Sequence, residues 1–197
     1  MISLCAKNIE DIWFGVAYDR EKVFATTFAF SEKMALQGLL ESIPFNAPFQ
    51  HSKETSTFAG HVLNILKSIH DGKAVTPSFS LATEHLSNYA RKVIEIVSLI
   101  PLGYVASYGS VARAAGGSPR AVGRVMALNP FAPIVPCHRV VSSDFTLGGY
   151  GGGLKVKLDF LKREKRGYTA KREIPVDDDR KLQVFPAEFV LRKVEKE

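Results

Sequence analysis

The chain has 197 residues, 46% of them hydrophobic and 23% charged, a balance that suits one or two small folded domains and excludes a fibre or a disordered polyelectrolyte. No apolar run approaches the roughly 20 residues that span a bilayer, and Met1-Ile2-Ser3-Leu4-Cys5-Ala6-Lys7 lacks the basic-then-apolar order of a secretory signal. The net charge of +6 is concentrated in residues 101–172, which carry 12 Lys+Arg against 3 Asp+Glu, the footprint expected of a surface that displaces counterions from nucleic-acid phosphates.

From the N-terminus, Ile12–Tyr18 and Val23–Phe28 read as a hairpin around the polar turn Asp19-Arg20-Glu21-Lys22. A helix starts at Ser31 as N-cap, with Met34, Leu36, Leu39 and Leu40 as its apolar side, and stops near Pro44. A second, from about Ser56, sets Phe58, Val62, Ile65, Leu66 and Ile69 at helical spacing before Asp71-Gly72 ends it. Residues 74–82 read as loop or edge strand. The composition shifts there, so residues 1–80 are expected to form a small α/β domain.

The second domain, residues 81–167, opens with Thr83 capping a helix whose inner face is Leu86, Tyr89, Ala90, Val93, Ile94 and Val97, closed by Pro101-Leu102-Gly103. Ser107 can cap a helix over Tyr108–Ala115, which Gly116-Gly117 stops. Ser118-Pro119 then restarts a helix over Arg120–Leu128, because serine favours the N-cap and proline is preorganised for the first helical position. Two helices joined by a glycine turn make a helix-turn-helix. Its second member presents Arg120 and Arg124 one turn apart, with Ala121, Gly123 and Ala127 small enough to let a partner backbone approach. Asn129-Pro130 ends it, since asparagine tolerates the left-handed conformation and proline cannot continue a helix.

Ile134-Val135-Pro136-Cys137-His138-Arg139-Val140-Val141 sets a thiol, an imidazole and a guanidinium side by side. In an extended strand Cys137 and His138 point to opposite faces and meet only if the chain bends after Pro136 or a water bridges them. If they meet, His138 can take the thiol proton while Arg139 favours the nucleophilic thiolate. The bland alternative is a small buried hydrophobe beside a satisfied core histidine.

Pro101–Gly109, Ser118-Pro119-Arg120-Ala121-Val122-Gly123, Asn129-Pro130, Pro136-Cys137-His138-Arg139-Val140 and Gly148–Leu154 together resemble the O6-alkylguanine-DNA alkyltransferases, over roughly residues 86–167. That resemblance implies a ribonuclease H-like N-terminal α/β domain and a mostly helical C-terminal domain. It implies a single-turnover repair protein that flips the damaged nucleotide out of the duplex and moves its alkyl group from O6 of guanine, and from O4 of thymine, onto Cys137. The partner is double-stranded DNA, bound through the minor groove by a monomer with no cofactor and no membrane. Arg120 resembles the finger that fills the emptied stack, Ala121 and Gly123 allow close approach, and Ser107, Arg124 and the neighbours of Tyr108 sit where DNA contacts fall. Tyr108 stands near N3 of the flipped guanine as proton donor. The relay runs from Cys137 through a water to His138 and then Glu164, on a helix Leu154–Lys165. Asn129 resembles the hinge and Arg139 a structural residue bonding carbonyls around it, while Pro136, Val140, Tyr150, Gly151 and Gly152 belong to the pocket. The absence of a signal segment implies an intracellular, cytoplasmic location, or a nuclear one if the source has a nucleus.

One position departs from the pattern. Many family members carry serine directly after the loop tyrosine, where this chain has Gly151, so the side-chain hydrogen bond to O6 is lost and bulkier adducts gain room. Cys5 with His51, His61, His70 and His85 lacks a paired ligand spacing, so no metal is expected. Residues 168–197 exceed the family core, and Leu182–Leu191 reads as a docked strand. Three rivals stand beside alkyl transfer: a lesion-binding protein without transfer, a transcription factor and a cysteine hydrolase.

Overall fold

Strand alternation builds the first sheet of the protein. The computed structural model describes residues 1–20 and 22–196, so Glu21 of the expected hairpin turn lies outside the described residues. Strands β1 (Ile2–Ile9), β2 (Ile12–Asp19) and β3 (Lys22–Ala29) pair antiparallel in sequence order. The hairpin of β2 and β3 follows the sequence pattern, whereas β1 is an addition to it. Its turn, Glu10-Asp11, holds both residues at positive φ (53° and 65°), the geometry of a two-residue hairpin loop that usually advertises itself through glycine or asparagine.

Two short strands complete the sheet in the order β4-β1-β2-β3-β5, with β4 (Phe49–His51) parallel to β1 and β5 (Ser80–Leu81) parallel to β3. Helix α1 (Glu32–Ser42) is capped by Ser31, whose hydroxyl accepts from the Met34 amide at 3.3 Å. Its buried stripe differs in part from expectation: Leu39, and Leu36 beside it, pack on Ile2, Leu4, Ala17 and Ala25, and Ala35 is buried, while Met34 and Leu40 face solvent. The small Ala35 lets the helix lie close to the sheet, which turns the larger neighbours outward. Helix α2 (Thr57–His70), capped by Ser56, covers the other face with Val62, Leu63 and Leu66 against Phe14, Val16 and Val23. Residues 130–134 belong to this unit, where buried Thr26 donates from its amide to the Pro130 carbonyl (2.8 Å) and from its hydroxyl to that of Ala132 (2.9 Å).

The second unit comprises Ser87–Asn129 and Val135–Glu197. Helix α3 (Asn88–Ser98) is capped by Ser87 rather than Thr83, and Leu86 precedes it; the Thr83 carbonyl instead accepts the Leu86 amide in a turn. β6 (Tyr104–Ser107) leads into α4 (Tyr108–Ala115), capped by Ser107 and ended by Gly116 at φ 76°. Ser118 caps α5 (Pro119–Ala127), with Pro119 in the first turn. Beyond them come β7 (Val140–Val141), α6 (Leu154–Glu164), β8 (Arg172–Pro175), β9 (Lys181–Pro186) and α7 (Glu188–Val194). The second sheet has the order β7-β6-β9-β8. The expected strand over 182–191 is thus a strand followed by a helix, because Pro186 has no amide with which to continue the ladder.

The glycine turn of the helix-turn-helix is fixed by packing. A Cβ on Gly117 would stand 2.2 Å from the Tyr89 hydroxyl, which is buried without a hydrogen-bond partner among the described residues. Gly117→Ala is therefore expected to cost about 1–3 kcal/mol of unfolding free energy. The loss should shrink in a Tyr89→Ala background; a double-mutant cycle by thermal denaturation that returns no coupling would refute this packing account.

Candidate functional site: a buried thiol beside a charged relay

A 3₁₀ turn over Cys137–Arg139 replaces the extended run that the apolar flanks suggested. Cys137 donates from its amide to the Val135 carbonyl (2.8 Å) and Arg139 to that of Pro136 (2.9 Å), so the chain bends at the thiol. Asn129 holds the turn from the end of α5: its side-chain amide donates to the Val135 carbonyl at 3.0 Å and also hydrogen-bonds the Cys137 thiol. Its contribution is this side chain, and not the left-handed backbone expected of it, since its φ is not positive. Val140 continues into β7 and pairs in parallel with Ala106.

Behind the thiol, His138 and Glu164 are both fully buried, with Nε2 of the imidazole 2.8 Å from Oε1 of the carboxylate. Burial raises the cost of charge on Glu164, but the His138 and Arg139 partners overcome it and hold its pKa down at about 2. An ionised Glu164 accepts the Nε2 proton, which leaves the lone pair on Nδ1, an atom with no protein hydrogen-bond partner among the described residues. Burial pushes the His138 pKa down against the pull of Glu164, so the imidazole is neutral at rest. Its ring stacks on Phe160, centroids 4.5 Å apart. Arg139 binds Glu164 through Nε (2.9 Å) and Nη2 (2.9 Å) and donates from Nη1 to the Ile100 carbonyl (2.6 Å). It thus grips the relay carboxylate and one distant carbonyl, where bonds to carbonyls around the hinge were expected.

Lys157 is the residue that sequence reasoning missed. It is fully buried, donates to the carbonyls of Val140 (2.6 Å) and Gly149 (3.1 Å), and lies about 6 Å from the ring centroids of Tyr108 (5.9 Å) and Tyr150 (6.0 Å). Burial lowers its pKa to about 8, and the Cys137 sulfur, when ionised, pulls the other way. The signal was present in α6: Lys157, Phe160, Leu161 and Glu164 are its buried residues, at 3-1-3 spacing on one helical face. Burial raises the Cys137 pKa, opposed by the Asn129 hydrogen bond and the Lys157 charge. The resting group is a thiol. Tyr150 hydrogen-bonds it, and burial, the sulfur and Glu164 push its own phenol above the ordinary range.

The thiol opens onto a cavity of about 540 Å³ lined by Tyr108, Arg120, Gly123, Met126, Tyr150 and Gly151 among others. Tyr108 donates to the Gly149 carbonyl at 3.3 Å, sharing that acceptor with Lys157. A Cβ on Gly152 would come within 2.9 Å of the Tyr150 ring, whereas one on Gly151 would meet nothing within 4 Å. Arg120 is exposed at the cavity and Arg124 is exposed one turn later, while Ala121 is half-buried beside them. Ser107 is different. It is buried, accepts from the Ser110 amide (3.0 Å) and donates to the Ser110 hydroxyl (3.1 Å), so its one donor is occupied inside the fold. Among the described residues no group of three or more His, Cys, Asp or Glu could hold a metal ion.

Residues 88–166 match the family model described as 6-O-methylguanine DNA methyltransferase, DNA binding domain. A relative in Methanothermobacter thermautotrophicus, named methylated-DNA–protein-cysteine methyltransferase, is 46% identical over 78 residues, 40% of this chain and 44% of its own. The chain thus spans less than half of that relative. A protein of the same name in Methanocaldococcus jannaschii is 31% identical over 158 residues, 80% of this chain and 91% of its own. The crystal structure of O6-methylguanine-DNA methyltransferase from the hyperthermophilic archaeon Pyrococcus kodakaraensis superposes with a TM-score of 0.63 at 28% identity, over 83% of this chain and 99% of that one.

Two outcomes follow from the charges in the site. Lys157→Met should shift the rising limb of Cys137 alkylation by iodoacetamide to higher pH, because the positive charge that offsets thiol burial is gone; an unmoved limb would remove Lys157 from the account. A carboxylate whose folded pKa lies below its unfolded value stabilises the fold above the unfolded pKa and loses that contribution as pH falls toward the folded one. Glu164 therefore supplies stability of about 3 kcal/mol near neutral pH that drains away between about pH 4.5 and about pH 2, from its shift to about 2. Urea unfolding of Glu164→Gln should show a shallower acid dependence over that window.

Proposed function

Because the chain belongs to the methylated-DNA–protein-cysteine methyltransferase family, we propose that it repairs DNA by irreversible transfer of the alkyl group from O6-alkylguanine, and from O4-alkylthymine, to its own Cys137. One observation carries the reading: the thiol facing the Tyr108–Tyr150 cavity is backed by a neutral imidazole locked by an ionised carboxylate. A cysteine hydrolase would also use such a relay, but its acyl intermediate is labile to water. An alkyl thioether is not.

The chemistry is a displacement at carbon. His138 takes the thiol proton on Nδ1 through a bridging water, and Glu164 stabilises the resulting imidazolium. The sulfur then forms a bond to the alkyl carbon as the carbon–O6 bond breaks, and the electron pair passes to O6 and the purine ring. Tyr108 supplies a proton to N3, so guanine leaves neutral, and the proton parked on His138 returns to the tyrosinate through solvent. The protein ends as a thioether and is consumed. Neighbours of the thiol set the barrier: Asn129 and Lys157 ease thiolate formation, and Tyr150 donates toward the sulfur.

A lesion inside a duplex is stacked beyond reach, so the nucleotide must be flipped into the cavity. Arg120, exposed at its edge on α5, suits the gap left behind, with Gly123 and Ala127 permitting close approach in the minor groove. Arg124 adds a phosphate contact. Ser107 supports this surface from within as the cap of α4. The open space at Gly151 leaves the alkyl end of the pocket unencumbered, which favours larger adducts over tight discrimination for methyl. The protein acts as a monomer inside the cell.

The test is incubation with a duplex carrying one O6-methylguanine, followed by intact mass and peptide mapping. One added methyl on Cys137, never more than one per chain and absent in Cys137→Ala, is expected. A protein that binds the duplex and stays unmodified would sink alkyl transfer and leave a lesion-binding module.

A further inference from the structure

Residues 168–197 take no part in the chemistry above, yet they reach it at three points. β9 pairs with β6 (Tyr104 with Pro186, Val105 with Phe185), and the Ala187 amide donates to the Gly103 carbonyl at 2.9 Å; β6 runs straight into Ser107 and Tyr108. Phe145, in the loop between β7 and the glycine-rich segment, sits at φ 65°, a conformation bulky residues seldom adopt. Its ring is held edge-on by Phe185 (5.2 Å) and Phe189 (5.3 Å). At the third point Glu188, 4% exposed in the first turn of α7, accepts through Oε1 from the backbone amides of Arg166 (3.1 Å) and Gly167.

Those two amides closely follow the end of α6, whose last residue is Glu164. Lys165 donates back to the Lys162 carbonyl and closes the helix, after which the chain turns away. Without the carboxylate, both amides lose the acceptor that ties them to α7, and the end of α6 loses its hydrogen-bonded link to that helix. The apolar contact of Leu161 with Ala187, Val190 and Leu191 holds α7 against α6 but sets no angular constraint on the last turn. A carboxylate bonded to two successive amides does set one.

We propose that Glu188 is a positioning residue for alkyl transfer: anchored by α7, it fixes the C-terminal end of α6 and with it the Glu164 carboxylate against His138. This rests on the reading of Cys137 as the alkyl acceptor. The 2.8 Å contact between His138 and Glu164 is only as good as the placement of that last turn, and a small displacement there weakens the support of the imidazolium.

The experiment compares wild type, Glu188→Ala and Glu188→Gln. It reads the single-turnover transfer rate at saturating O6-methylguanine duplex, the pH profile of that rate, the duplex Kd and the thermal midpoint. Glu188→Ala should slow transfer about tenfold, with the rising limb at higher pH and Kd within about twofold of wild type. Glu188→Gln, which keeps a carbonyl oxygen for the two amides, should recover most of the rate. Wild-type rate and profile in the Ala variant, or a Gln variant as slow as Ala, overturns the proposal. Should the Ala variant fail to fold, Glu188→Asp, one methylene shorter, takes its place: slowed transfer with a shifted limb supports the proposal, and an unchanged rate and profile overturns it. A wild-type protein that takes up no methyl overturns the functional reading and this proposal together, whereas an active wild type with an unchanged variant overturns only this one.

Discussion

The buried carboxylate of Glu164 is the constraint around which the second unit is organised. An isolated carboxylate taken out of water costs several kcal/mol, and Glu164 has no exposure with which to reduce that cost. It is tolerated because a guanidinium meets it through two nitrogens and an imidazole through a third. Each partner arrives from the 3₁₀ turn and the carboxylate from α6, so the interaction joins two elements 25 residues apart in sequence. Arg139 then extends the bond network to Ile100, at the exit of α3. The same bonds that satisfy the charge therefore fix which nitrogen of His138 holds the lone pair and where it points.

The thiol is treated in the opposite way. Its burial is only partly offset, by Asn129 and by the charge of Lys157, and it stays protonated. Lys157 carries its own penalty, visible in a pKa of about 8, and is retained by the carbonyls of Val140 in β7 and of Gly149 at the cavity wall. Two buried ions thus do different jobs from one helical face: Glu164 orients the His138 imidazole, and Lys157 opposes the effect of burial on the Cys137 thiol while sharing the Gly149 carbonyl with Tyr108. Replacing either by an apolar residue would ease the desolvation cost and remove the bias, a conflict between stability and chemistry expected at reactive centres.

What the sequence made legible was whatever local chemistry dictates. Ser31, Ser56, Ser107 and Ser118 announce their helices because a hydroxyl at the N-cap satisfies an otherwise orphaned amide, and all four do so here. Cys137, His138 and Glu164 stood out through motif order. Long-range packing was not legible. β1 hid because its hairpin turn uses Glu10-Asp11 instead of glycine, and of the four large apolar residues that α1 presented, Leu39 and Leu36 pack on the core while Met34 and Leu40 are exposed. Thr83 and Ser87 are both competent caps, and only the docking of Val93, Ile94 and Val97 selects the latter. Lys157 was overlooked because a lysine in a basic helix reads as solvent-facing. Its period with Phe160 and Glu164 says otherwise, since a stripe position is set by geometry and not by the charge of its occupant.

Burial also bears on the proposed transfer, because it keeps the Cys137 thiol protonated at rest. A standing thiolate would be open to any small electrophile, and a protein consumed by its own reaction, as we propose, would lose one molecule to each stray alkylation. With Cys137 7% exposed and its pKa raised, the reactive form would have to be made in place, by proton transfer to an imidazole whose free nitrogen is already set by the Glu164 bond. On the proposed reading, a base that filled the cavity would exclude water and strengthen each fixed charge around the sulfur. Reactivity would then be coupled to occupancy of the pocket, through the rigidity with which α6 and the Cys137 turn hold their bonds.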